Sequence, residues 1–154
     1  MNTEKTPSAA ENGLATLRAK GYKITPQRRA VLEALEAGGQ FSAAQQVLEI
    51  VREKQPDVSL DTIYRNLTLL RDLNIVHEIV RPSGNVYEII SEGHHHHHLI
   101  CTECGKMECI DICPMNEIYE KEAASHGFLV TGHVFEFYGL CWSCRSRLAK
   151  KKQD

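Results

Sequence analysis

His94-His95-His96-His97-His98-Leu99-Ile100-Cys101-Thr102-Glu103-Cys104 is the stretch on which the reading of this chain turns. Five imidazoles run into a Cys-x-x-Cys pair, so seven soft or borderline metal ligands fall within eleven residues. An expression tag is the plain alternative for the histidines. Tags sit at termini or beside linkers, whereas this run is set between Tyr87-Glu88-Ile89-Ile90 and Leu99-Ile100. Metal chemistry is the better reading. In an extended strand alternate side chains point to opposite faces, so His96 and His98 look one way and His95 and His97 the other. One strand can then feed two metal sites back to back, each needing further ligands from elsewhere.

A second Cys-x-x-Cys stands at Cys141 and Cys144. Two such knuckles, each offering two thiolates from a tight turn, suit tetrahedral zinc. Thirty-six residues lie between Cys104 and Cys141, so the ion would staple the start of a domain to its end. Two rival readings are a pair of thioredoxin-type dithiols and four unligated core cysteines. Neither pair opens a βαβ pattern, and the paired spacing argues against the second rival. Cys109 and Cys113 stand apart from the knuckles. Cys109 reads either as a small buried hydrophobe on a strand or as a thiolate facing the histidines. Cys113 reads as a helix-start residue beside Pro114, with a ligand role as its alternative.

With 154 residues, 42% of them hydrophobic, the chain can bury one ordinary core or two small ones joined by a hinge. A net charge of −2 and a pI near 6.4 give no global sign of nucleic acid. A DNA-binding face, however, needs only a local cluster of Lys and Arg. The first residues are polar, without the apolar segment of a signal peptide. No apolar run approaches the roughly 20 residues of a membrane span. A soluble, cytoplasmic protein with no membrane partner is expected. In such a reducing compartment six cysteines favour metal or redox chemistry over disulfides.

Residues 1–10 read as a disordered lead-in, followed by an amphipathic helix over 11–20 that Gly21 stops. Thr25-Pro26 is a helix start, with a cap residue before a proline at the first helical position; that helix ends at Gly38-Gly39. Ser42 is expected to cap a third helix to about Gln55, and Ser59 or Asp61 to open a fourth over 62–73. In the fourth, Ile63, Leu67, Leu70 and Leu73 form the inward stripe and leave Tyr64, Arg65 and Thr68 outside it. Residues 75–80 and 85–90 have strand composition, and Arg81-Pro82-Ser83-Gly84 between them makes a hairpin. Helices followed by a hairpin give the order of a winged helix-turn-helix, with the fourth helix in the recognition position. Past a hinge at 91–93 the pattern becomes α/β. It has strands at 94–100 and 106–110, a helix from Pro114 to about His126, and a long strand over 128–138. The expected organisation is α+β: a winged-helix domain over 11–90, a metal-binding domain over 94–145 and a flexible basic tail over 146–154.

In this order the pieces closely resemble the ferric uptake regulator (Fur) superfamily of dimeric, metal-dependent bacterial repressors. The most specific are Thr25-Pro26-Gln27-Arg28, Thr62-Ile63-Tyr64-Arg65-Asn66-Leu67, His94–Lys106, Gly132-His133 and Tyr138-Gly139-Leu140-Cys141, and the resemblance runs from Leu14 to Cys144. It implies that Tyr64 and Arg65 meet base edges and backbone, that Lys23 reaches toward the minor groove and that Arg28 contacts phosphate. Solvated basic side chains are the plain reading of Lys23 and Arg28. The resemblance also implies a structural Zn2+ on Cys101, Cys104, Cys141 and Cys144. A regulatory metal at the hinge would take Glu88, His96 and His98, with Cys109 and His77 as further candidates. A second site would use His95, His97 and His133. Its usual helix glutamate falls on Asn116, and Glu117 is the adjacent carboxylate.

Several departures bear on the metal. Gln40 stands where iron- and peroxide-sensing members carry a histidine, Cys109 replaces an acidic residue, and Ile90 stands where zinc-sensing members place a cysteine. A thiolate and His77 tilt the regulatory site toward Zn2+, whereas Glu88 with two histidines also accepts Fe2+ or Mn2+. The expected function is repression of metal-uptake genes by a homodimer on an AT-rich palindrome in double-stranded DNA, with iron slightly ahead of zinc. A zinc-uptake or peroxide-stress regulator is the alternative within the superfamily. Outside it stand a thiol redox enzyme and a metal-storage protein.

Overall fold

The computed structural model describes residues 7–90 and 95–151, so the expected hinge at 91–93 and His94 lie outside the described residues. Those residues cluster into two compact units, one formed by residues up to 80 with 84–90, the other by 81–83 with 95–151. Among them, no helix is long and apolar enough to cross a membrane.

The first unit opens with α1 (Ala9–Ala19). Ser8 accepts the Glu11 N–H and Glu11 returns a carboxylate to the Ser8 N–H, a reciprocal cap that satisfies two otherwise orphaned donors. The disordered lead-in expected through residue 10 is therefore too long, because this box already fixes Ser8. α2 (Pro26–Ala37) starts at Thr25, whose hydroxyl accepts from Arg28 N–H. Ser42 does not cap the third helix. It is buried in a two-residue strand, β1 (Ser42–Ala43), and α3 (Ala44–Arg52) begins just after it. α4 (Leu60–Asp72) is capped by Ser59 and buries Ile63, Leu67 and Leu70. β2 (Val76–Ile79) and β3 (Val86–Ile89) form the antiparallel wing, and β1 adds to the far edge of β3. Leu17, Val31, Leu32, Val47, Ile63 and Leu67 are essentially inaccessible at the centre of the core. Fully burying such a side chain contributes about 1.5–3 kcal/mol. This core holds α4 in place and leaves its opposite face outside.

The second unit is a three-stranded sheet ordered β5-β4-β6. β4 (His97–Cys101) pairs antiparallel with β5 (Met107–Ile110) and parallel with β6 (Glu136–Gly139). α5 (Glu117–Ser125) starts at the Asn116 cap instead of at Pro114, and α6 (Trp142–Lys151) occupies most of the expected flexible tail. The long strand expected over 128–138 is reduced to β6. Before Glu136 the alternating residues have the composition of a strand, but among the described residues their backbone contact with β4 is the His98 N–H donating to the Phe135 carbonyl at 3.4 Å, and composition alone does not make a ladder.

Candidate metal centres

Three groups of ligand atoms gather within the second unit. The first is the four knuckle cysteines, whose Sγ atoms all lie within 4.8 Å of one another. Cys101 ends β4, Cys104 lies in the turn toward β5, Cys141 follows β6 and Cys144 sits in the first turn of α6. Gly105, at φ 72°, takes the left-handed conformation that closes the first knuckle. Cys104 Sγ is 3.7 Å from Cys141 Sγ, and the Cys141 N–H donates to Cys101 Sγ at 3.3 Å. Backbone donors from Cys141 and Cys104 draw the Cys101 thiol down to about 6, whereas burial and the neighbouring sulfurs push Cys144 up to about 12. Four sulfurs crowded to this degree repel as thiolates unless a cation sits among them, and tetrahedral zinc fits the donor set.

The second group is His96, His98 and Cys109, with ligand atoms within the same 4.8 Å limit. The strand register explains it: His98 and Cys109 are directly opposed on β4 and β5, so their side chains share a face. His98 is buried and Cys109 is exposed at the edge. The remaining ligands expected for the regulatory site, His77 and Glu88, lie in the first unit. They too are directly opposed, on β2 and β3, and Glu88 is buried and receives a hydrogen bond from the Gln40 amide at 3.3 Å.

The third group is His95, His97, His133 and Cys113. The three expected histidines come together; Glu117 does not join them. Its carboxylate points to solvent and pairs with Lys121 at 3.0 Å, one turn along α5. The fourth member is Cys113, for which a ligand role stood only as the alternative to a helix-start residue beside Pro114. His97 is buried, and its Nε2 has no hydrogen-bond partner among the described residues. Such an atom costs about 1–3 kcal/mol when left unsatisfied. The group therefore fits a cation that takes up this lone pair.

On the first unit, Tyr64 and Arg65 stand exposed on α4, and Arg65 Nε pairs with Asp61 at 2.8 Å. Arg28 stacks over the Tyr22 ring at 5.8 Å and donates to the Lys23 carbonyl, which ties together the two basic residues ahead of and within α2. Lys23 itself is exposed.

The model of the ferric uptake regulator family matches residues 19–138. Peroxide-responsive repressor PerR of Staphylococcus aureus is 33% identical over 138 residues, covering 89% of this chain and 92% of the relative. Among solved structures, the Helicobacter pylori ferric uptake regulator Fur, described with three functional metal-binding sites, superposes with a TM-score of 0.66 at 25% identity. That match covers 94% of this chain and 97% of the other. A zinc uptake regulator complexed with zinc and DNA gives 0.59 at 26% identity over 94% of this chain and 99% of its own. Regulators of this family bind DNA and are dimeric, and the relatives include proteins of zinc, iron and manganese. The chain belongs to the ferric uptake regulator family and is a metal-dependent transcriptional regulator.

Proposed function

We propose that this chain represses metal-uptake genes as a homodimer that grips palindromic DNA when a divalent ion is held by His96, His98 and Cys109. The clustering of His98 and Cys109, opposed on β4 and β5, with His96 just before β4 carries the proposal. As the family resemblance implies, Glu88, with His77 opposite it, would supply ligands from the winged-helix side. An ion that binds one conformation more tightly than another shifts the population by that difference in affinity. Metal occupancy would thus favour the DNA-competent form. α4 would then enter the major groove, where Tyr64 can pack on a thymine methyl and Arg65 can meet guanine or phosphate. Lys23 and Arg28 would hold the backbone.

Two imidazoles with a thiolate suit zinc better than iron or manganese. The presence of Cys109 in the cluster moves the reading from iron, slightly ahead on sequence, to zinc. Peroxide sensing, the response named for the Staphylococcus relative, is disfavoured by Gln40 in the place of a histidine. The gathering of both knuckles into one group weighs against two separate redox dithiols.

The test is a metal-by-metal titration of binding to an AT-rich palindromic duplex selected from random sequence with zinc-loaded protein. Zinc should support binding that weakens steeply with salt, and Cys109→Ser should narrow the advantage of zinc over iron. Equal binding by metal-stripped and metal-loaded protein would end the proposal.

A further inference from the structure

We infer that Cys113 completes the second metal site that the family resemblance implies on His95, His97 and His133, its thiolate taking the place of a carboxylate and suiting the site to a zinc-class ion. Asn116, where the family resemblance places that carboxylate, and the adjacent Glu117 are both committed elsewhere. Asn116 Oδ1 accepts the Ile118 N–H at 3.0 Å and so caps α5. The Glu117 side chain is 83% exposed and paired with Lys121. Cys113 lies three residues before Asn116, and its Sγ approaches His95 Nε2 at 3.3 Å and His133 Nε2 at 3.1 Å. Those two nitrogens are 2.9 Å apart. The Met115 N–H donates to the same sulfur at 3.4 Å and orients it.

A simple hydrogen-bonded triad of His95, Cys113 and His133 is the alternative, and it accounts for three of the four residues. It leaves His97 unexplained, because that ring is 1% exposed and its Nε2 has no partner among the described residues. A cation satisfies all four donors at once. The Phe135 ring lies 5.3 Å from His97 and 5.2 Å from His133, centroid to centroid, and gives the site an apolar wall. The donor set decides the metal class. Imidazole and thiolate suit zinc and cobalt, whereas manganese favours the oxygen ligand this chain lacks there. The site is separate from the His96-His98-Cys109 centre, and its test reads metal and not DNA.

Cobalt titration isolates it in Cys109→Ser protein whose four knuckle cysteines are filled with zinc, since Cys113 is then the one remaining thiol of the six cysteines. A sulfur-to-cobalt charge-transfer band should grow to the intensity of one thiolate-bound cobalt per chain, and Glu117→Gln should leave it unchanged. Adding Cys113→Ser should abolish the band and weaken cobalt and zinc binding at this site by at least about tenfold. Cys113→Asp should keep an ion without the band and move the preference toward manganese. Alkylation offers a check that needs no folded Cys113 variant: zinc should slow the reaction of Cys113 with iodoacetamide in the Cys109→Ser protein by about tenfold or more. Absence of the band in that protein, its persistence without Cys113, its loss in Glu117→Gln or zinc-independent alkylation would each overturn the inference. None of these results bears on whether the regulator binds DNA.

Discussion

Arg65 is held by an ion pair with Asp61 whose two side chains are largely exposed, and such pairs add little to stability. The pair does hold the guanidinium on the outer face of α4, beside the exposed Tyr64. Arg65→Ala should therefore leave the thermal midpoint nearly unchanged and weaken operator binding by about 1–3 kcal/mol, roughly five- to 150-fold. Fluorescence anisotropy on metal-loaded protein measures the loss. Undiminished DNA affinity would remove Arg65 from the recognition surface, as a metal-storage protein would require. At this scale the sequence was most legible where spacing sets geometry. The Cys-x-x-Cys pairs and the alternation of histidines led directly to groups that form. Cys113 was less legible, because its role depends on the path of 111–116, and no periodicity governs a connecting segment.

Glu78 links two elements of the wing to α4. It accepts from Arg71 Nη1 at 2.6 Å, Asn85 Nδ2 at 2.7 Å and Tyr87 Oη at 3.0 Å. Burial works against its ionisation, but the three donors outweigh it and hold the carboxyl below its usual range. Tyr87 is pushed well above the ordinary phenol range by burial and by Glu78, so it remains a protonated donor. A carboxyl depressed on folding contributes stability that is present above its unfolded pKa and lost as pH falls through the folded one. Glu78→Gln should accordingly cost about 1–3 kcal/mol near neutrality. The gap between wild type and variant should close as pH drops below the carboxylate range, as urea titrations at the two ends can establish. A gap independent of pH would mean that shape, not charge, holds the wing. Ser8→Ala is a second test at this scale. Loss of the reciprocal cap should destabilise α1 by about 1 kcal/mol, visible as lowered helicity and an earlier denaturation midpoint. Both features concern what elements do with their ends and partners. The Ser8-x-x-Glu11 pattern could have been read from the sequence. The pairing of Glu78 could not, because it depends on the register Glu78↔Tyr87, which the hairpin turn sets.

The two units are stabilised by different means. The first encloses a continuous apolar cluster from α1 through β3. The second buries far less: Ile112, Ile118, Tyr119, Phe128, Leu129, Val134 and Phe137 are all exposed in the single chain, and α5 buries no residue. Two things can make good that deficit. One is zinc on the four cysteines, which ties the end of β4, the turn to β5, the end of β6 and the start of α6 at one point; binding of structural zinc supplies about 10–16 kcal/mol of folding free energy in small zinc domains. The other is the partner copy of the proposed homodimer, which would cover part of the exposed apolar surface. If both hold, they are coupled. Stripping zinc with a strong chelator in the presence of a thiol reductant should unfold the second unit and release monomers, while the first unit retains a separate cooperative transition. Trp142, the single tryptophan, follows Cys141 directly and is 79% exposed in the isolated chain, so its emission responds to the zinc knuckle and to a partner that covers it. Its emission should shift to the red as zinc leaves, in step with the sedimentation change from dimer to monomer. A protein that loses zinc yet stays dimeric, with unaltered Trp142 emission, would show that the zinc centre and the dimer surface are independent.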